Sequence, residues 1–209
     1  MFRIIDLTQT LSNESLSYPG TTLAWTAERI DIGNPTATLT RFSAFDPHAG
    51  THLDAPLHFA LTGMDVAELP LRLYPATVVA VDRVRIEAAR IPADCMGRAV
   101  LFSTGWDDRV GKREYYEGFP SMTRGAAQLL VDRGVGLVGV DGPSLDGADE
   151  HPTYSVHEAF GSADVPIVEG LVNLRSLLSI EGEILFAAFP LKLRGVEGSP
   201  VRAVALVRE

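Results

Sequence analysis

Ser121-Met122-Thr123-Arg124-Gly125-Ala126-Ala127-Gln128-Leu129-Leu130-Val131-Asp132-Arg133-Gly134-Val135-Gly136-Leu137-Val138-Gly139-Val140 runs from one kind of periodicity into another. Ser121 or Thr123 supplies an N-cap oxygen, and Ala126, Ala127, Leu129 and Leu130 fall on one helical face. Gly134 then supplies the left-handed stop. From Gly136 the pattern becomes a short apolar run of strand length, rich in β-branched residues. A helix feeding directly into a buried strand is the building unit of an α/β fold. Working outward, Thr77–Val81, Ala99–Phe102 and Ile184–Phe189 are runs of the same kind and predict further buried strands. Phe2–Thr8 and Ser199–Val207 predict strands near the two ends of the sequence. Thr38–Phe45 alternates polar and apolar residues over its first half, which predicts a half-buried strand ended by Asp46-Pro47. Shorter helices are expected over Tyr154–Phe160 and Leu171–Leu178. No glycine-rich phosphate loop follows any strand, which argues against a nucleotide-binding fold. The expected class is α/β, with a mixed β-sheet and few helices.

The chain has 209 residues, a length that suits one domain over 1–209, and no repeat or low-complexity tract marks a linker. Its 46% hydrophobic and 22% charged residues place it near the globular average. A net charge of −9 repels phosphate backbones and anionic bilayers, so nucleic-acid and membrane partners are not expected. Met1-Phe2-Arg3-Ile4-Ile5-Asp6 is no signal peptide, and no run approaches the roughly 20 apolar residues of a spanning helix, so a cytoplasmic protein is expected. Cys95 is the only cysteine. An internal disulfide and a thiolate metal cluster are therefore excluded, and any metal site must come from His, Asp and Glu.

The five histidines are strongly clustered. His48, His52 and His58 sit in Asp46-Pro47-His48-Ala49-Gly50-Thr51-His52-Leu53-Asp54-Ala55-Pro56-Leu57-His58-Phe59, and His151 and His157 form a second group. His48 and His52 are four apart and would share a face of one helical turn, with Asp54 two residues beyond. Gly50 permits close backbone approach or a positive φ, and Pro56 stops an ordinary helix. Imidazoles with a carboxylate suit Zn²⁺, Mn²⁺ or Fe²⁺ better than Ca²⁺ or Mg²⁺. His58, six residues past His52, reads as an acid/base. Beyond the strand ending at Val140 lies Asp141-Gly142-Pro143-Ser144-Leu145-Asp146, where α/β active sites usually form. His157 on its short helix and Glu169 at the end of Val165-Pro166-Ile167-Val168 are placed to close a metal shell, although Glu169 taken alone is an ordinary carboxylate. His151 reads as an exposed loop residue and is left out of the site.

The pattern His48-x-Gly50-Thr51-His52-x-Asp54-x-Pro56-x-His58 resembles the signature of the cyclase family, the metal-dependent hydrolases that include bacterial kynurenine formamidase and isatin hydrolase. The resemblance extends to Tyr18-Pro19-Gly20, Gly139 to Asp146, His157, Ile167 to Leu174, Phe189 to Leu193 and Gly198 to Ala203. It implies a swivelling β/β/α-type fold, a homodimer or homotetramer, and one or two divalent ions held by His48, His52, Asp54, His157 and Glu169. Asp54 and Glu169 would bridge, and His58 would serve as acid/base. The formamidases carry tryptophan where this chain has Tyr18, a position expected to line the substrate pocket.

These readings converge on hydrolysis of an amide or cyclic amide C–N bond in a small aryl substrate, by water activated at Zn²⁺ or Mn²⁺. A dedicated kynurenine formamidase is one alternative. Gly142-Pro143-Ser144-Leu145-Asp146 is not a Gly-x-Ser-x-Gly elbow, which disfavours a serine nucleophile. His52, Asp54 and His157 imitate the facial triad of non-haem Fe(II) oxygenases, but the additional ligands His48 and Glu169 speak against it. A metal-stapled binding module has no use for His58. Trp106, Phe119 and Tyr18 are candidates for an aromatic pocket wall.

Overall fold

The computed structural model describes residues 1–16, 18, 25–31, 33, 37–82, 85–147 and 154–208. Pro19, Gly20 and His151 lie outside them. Among the described residues, twelve strands and two α-helices follow in order: β1 (Phe2–Asp6), β2 (Trp25–Ile30), β3 (Leu39–Phe45), β4 (His52–Asp54), β5 (Tyr74–Ala80), β6 (Arg85–Ile86), β7 (Ala99–Ser103), β8 (Ser121–Met122), α1 (Arg124–Asp132), β9 (Leu137–Val140), α2 (Ser155–Gly161), β10 (Ile167–Glu169), β11 (Ile184–Pro190) and β12 (Gly198–Arg208). Eight strands form one sheet in the order β1-β12-β11-β5-β7-β9-β10-β4. β4 also pairs with the start of β12, Gly198 opposite Asp54, so the sheet curls round and closes like a barrel. β5, β7, β9 and β10 run parallel.

The buried runs read from the sequence are the middle of this sheet. In β7, Ala99 and Leu101 join one core with Leu53, Leu171, Phe186 and Ala203. Val100 and Phe102 point the other way and join a second core with Ala126, Leu130 and Phe160 of the two helices. Burial on both faces is why these strands are continuously apolar. Thr123 caps α1 by accepting from Ala126 N–H, whereas Ser121 lies in β8. Gly134, at φ +69°, ends the last turn as expected.

Two expectations need correction. Leu171–Leu178 holds only a 3₁₀ turn, Leu174–Leu177. Gly170 and Asn173 sit at φ 67° and 61°, which breaks a helix before it can start. Leu171, Leu174 and Leu177 are all buried, so the spacing of three belongs to that tighter turn. Thr38–Phe45 does contain a strand, β3, but it is not half-buried. It pairs with β2 in a separate two-stranded sheet, and Leu39 and Phe42 are 48% and 52% exposed.

Candidate active site

The candidate residues meet where short strands end. His48 does not share a helical turn with His52: it sits in a turn, with its N–H held by Asp46 Oδ1 at 2.9 Å, and Gly50 at φ 61° redirects the chain into β4. On β4 the period is two, so His52 and Asp54 share one face while Leu53 enters the core. Register places Glu169 of β10 opposite His52. Gly170 follows at positive φ, and a Cβ there would strike the Gly50 carbonyl, so the two turns pack tightly. Thr51 fixes them by donating to the Gly170 carbonyl at 2.6 Å. α2 brings in His157, whose Nδ1 lies 2.6 Å from Asp146 Oδ2. That carboxylate also accepts the His157 backbone N–H.

The resulting cluster is compact. His48 Nδ1 lies 2.8 Å from Asp54 Oδ1, and His52 Nε2 lies 3.5 Å from the same oxygen. His157 Nε2 is 3.5 Å from Asp54 Oδ2 and 3.3 Å from Glu169 Oε1. Two overlapping donor sets, His48/Asp54/His58 and His52/Asp54/Glu169, each bring their donor atoms within 4.8 Å of one another. Both Asp54 oxygens and His48 Nε2 are buried yet have no aligned hydrogen-bond partner. A buried carboxylate facing imidazoles without donors is costly unless a cation completes it. Imidazole plus carboxylate is also the donor chemistry of Zn²⁺ and Mn²⁺, so the residues fit a divalent ion.

The acidic neighbours also shift the imidazoles. Burial pulls His48 down, but the Asp54 carboxylate and its other acidic neighbours outweigh it and raise the imidazole to about 9. His157, also opposed by burial, is held well above its ordinary value by Glu169, Asp146 and Asp54. Burial would raise Asp54, but His52, His157 and His48 together hold it well below the usual carboxylate range. His58 goes the other way: burial pushes it down to about 4, and its ring lies 4.4 Å from that of His48. It is neutral at physiological pH.

A cavity of about 260 Å³ opens over the cluster. Tyr18 lines it, but Trp106 and Phe119 do not. Phe119 is buried in its own loop, and the Trp106 indole N–H is spent on the Tyr115 carbonyl at 2.7 Å. The aromatic lining comes instead from Phe59, Tyr115, Tyr116 and Tyr154. Several supporting residues escaped the sequence reading. Gln9 donates to the Gly170 carbonyl and to Tyr115, whose hydroxyl donates to the Asp141 carbonyl. The Asp141 side chain gathers the backbone N–H groups of Thr104 and Gly105, each at 2.8 Å, although burial pushes its carboxyl up to about 6. The Leu145 N–H holds Glu169 Oε1 at 2.7 Å. Asp141, Leu145 and Asp146 all belong to the polar loop after β9, which was the available signal.

Residues 5–147 match the family model described as putative cyclase. The kynurenine formamidase of Bacillus mycoides (strain KBAB4) is 30% identical over 96% of this chain and 95% of its own. Isatin hydrolase A from Ralstonia solanacearum superposes with a TM-score of 0.83 at 27% identity, covering 99% of this chain and 92% of that one. Isatin hydrolase A from Labrenzia aggregata, bound to benzyl benzoate, also gives 0.83, at 25% identity, covering 100% of this chain and 94% of that one.

Proposed function

The chain belongs to the putative cyclase family, and from that membership we propose that it is a metal-dependent hydrolase cleaving an amide or cyclic amide C–N bond of a small aryl substrate. The observation that carries the reading is Asp54, whose two buried oxygens meet three imidazoles and have no aligned donor of their own. His48, His52, Asp54, His157 and Glu169 would hold one or two ions, with Zn²⁺ or Mn²⁺ the proposed metal. When bound, the ion supplies Lewis acidity, polarising a carbonyl oxygen and acidifying water.

The protein's own groups do the rest. Asp146 fixes the His157 tautomer by accepting from Nδ1, leaving Nε2 to face Asp54 and Glu169. Thr51 and the Leu145 N–H hold the two carboxylate-bearing strand ends in register. His58, neutral because burial depresses it to about 4, accepts a proton from the attacking water and returns it to the leaving nitrogen. Phe59, Tyr115, Tyr116 and Tyr154 give the cavity an aromatic wall against which a substrate ring can pack.

The proposal extends to a catalytic unit spanning residues 1–209 that works as a homodimer or homotetramer in the cytoplasm. Exposed Leu39 and Phe42 on the β2–β3 ribbon support an assembly, and a single buried cysteine suits a reducing compartment. No helix among the described residues is long and apolar enough to cross a membrane.

The test is metal analysis of chelator-free protein, paired with hydrolysis of aryl formamides and isatin before and after chelation. About one or two equivalents of metal and chelator-sensitive cleavage are the expected result. Asp54→Ala should lose both metal and turnover. His58→Ala should keep the metal and lose ~10²–10⁴ in rate. Metal-free protein under every reconstitution would sink the proposal, and a fully active His58→Ala would sink the acid/base role.

A further inference from the structure

We infer that Asp141 is a positioning residue for the substrate: it clips both ends of the segment that carries Tyr115 and Tyr116 into the cavity, and so sets how tightly an aryl ring is held. The inference rests on the hydrolase reading above and gives a role in it to a residue outside the metal-ligand set. Asp141 directly follows β9, whose four residues are all buried, and is itself fully buried. Register pairs Val140 with Phe102 of β7, which brings the residues just past Ser103 beside Asp141. Its Oδ2 accepts the N–H groups of Thr104 and Gly105, each at 2.8 Å, and its Oδ1 accepts the Thr104 hydroxyl. Gly105, at φ 74°, lets the chain turn there without strain.

From Gly105 the segment runs through two 3₁₀ turns, Trp106–Arg109 and Arg113–Tyr116, and comes back to the same residue. On its return the Tyr115 hydroxyl donates to the Asp141 carbonyl at 3.2 Å, and the Tyr115 carbonyl accepts the Trp106 indole N–H at 2.7 Å. Tyr116 stands edge-on to Tyr115, with centroids 5.1 Å apart and planes at 81°, and both rings line the cavity. Asp141 therefore holds the start of the segment with its carboxylate and the end with its carbonyl. Two further ties, Asp107 to the Asn173 N–H and Asp108 to Arg175, are exposed, where water competes for them.

Hydrogen-bond geometry, rather than charge, is what this clip requires. Burying a carboxylate is costly, and burial pushes Asp141 up to about 6, a cost that its three donors offset. An asparagine oxygen in the place of Oδ2 can accept both N–H groups, while its NH₂ donates to the Thr104 hydroxyl oxygen. Alanine removes all three bonds and leaves two buried-side N–H groups without their acceptor.

The experiment measures kcat and KM separately for the metal-loaded protein on formanilide, a single ring bearing a formamide. Asp141→Ala should raise KM about 10-fold, because two loosened rings pack less well on the substrate, while metal content and kcat stay close to wild type. Asp141→Asn should bring KM back to within a few-fold of wild type. A merely structural role would lower kcat or soluble yield and leave KM unmoved. Tyr115→Phe removes the hydroxyl at the far end of the segment and should also raise KM several-fold; it decides the matter where Asp141→Ala fails to fold. An unchanged KM in the deciding variant would overturn the inference, and so would an asparagine variant with the KM of the alanine one. If metal-loaded wild-type protein cleaves neither formanilide nor isatin, the hydrolase reading falls by itself. The dissociation constant of formanilide, measured by equilibrium dialysis across the same variants, then replaces KM, with the same rise expected and the same lack of change overturning the inference.

Discussion

β4, β9 and β10 are three or four residues long and buried throughout, whereas the seven-residue β3 is almost entirely exposed. Both regions are short β-structure, and in both alternate side chains take opposite faces. What separates them is what covers each face. On β4, Leu53 meets the core while His52 Nε2 lies 3.5 Å from Asp54 Oδ1, so polar burial is tolerated through pairing. On β3, Leu39 and Phe42 are about half exposed, and the ribbon pairs within its own two-stranded sheet. Alternation therefore says that two faces differ, and only the tertiary neighbours say which face is wet.

The sharpest way to break this comparison is through the protons that balance the buried wall. In the ion-free protein, His48 titrates at about 9 and His157 well above its ordinary value, so both are charged at neutral pH. A divalent ion must displace both protons, so affinity should fall roughly 100-fold for each pH unit of acidification near neutrality. Chelator competition across that range measures the slope, and a flat profile would show that the imidazoles do not ligate. The same shifts affect the ion-free fold. A raised histidine contributes stability that is complete below about 6.5 and lost as pH rises through its folded value. Its Tm should therefore fall from pH 6.5 to 9, while the metal-loaded protein resists.

A smaller effect tests the support behind the wall. Asp146 touches the His157 ring and its backbone N–H. Asp146→Ala should weaken metal affinity about 10–100-fold, the usual consequence of freeing a ligand histidine. Unchanged affinity would mean that β10 and α2 alone position His157.

Legibility in the sequence follows the same division. His48, His52 and Asp54 were visible because the chain itself brings them together within one turn and one short strand. Their convergence was right for the wrong geometry, since the period of two on β4 replaced the helical turn. Glu169 looked ordinary because its burial depends on a register with β4 that no local pattern encodes. Thr51 bonds a carbonyl 119 positions away, and Gln9 reaches one 161 away, so neither role is local. Tyr115 and Tyr116 belong to the same segment between β7 and β8 as Trp106 and Phe119, yet composition could not say which of its aromatics face the cavity. β2 was missed because Thr26, Glu28 and Arg29 interrupt any apolar run.

The ribbon supplies the mildest test, one that should leave the chemistry alone. Phe42 is 52% exposed on β3, in a two-stranded sheet apart from the metal-ligand cluster, and it does not line the cavity. If a second copy covers this face, Phe42→Ser removes apolar contact area from each protomer and should shift sedimentation toward the monomer. Burying a phenyl ring contributes on the order of 1.5–3 kcal/mol, enough to move a dimer's dissociation constant by about 10–100-fold. Turnover per metal ion should stay close to wild type, because the ligands sit on the closed sheet and α2. A variant that assembles normally would leave the ribbon as solvent-facing structure and place the subunit contact elsewhere. One that loses both assembly and turnover would show that the partner helps to complete the cavity, and the contrast between buried wall and exposed ribbon would then hold only for the isolated chain.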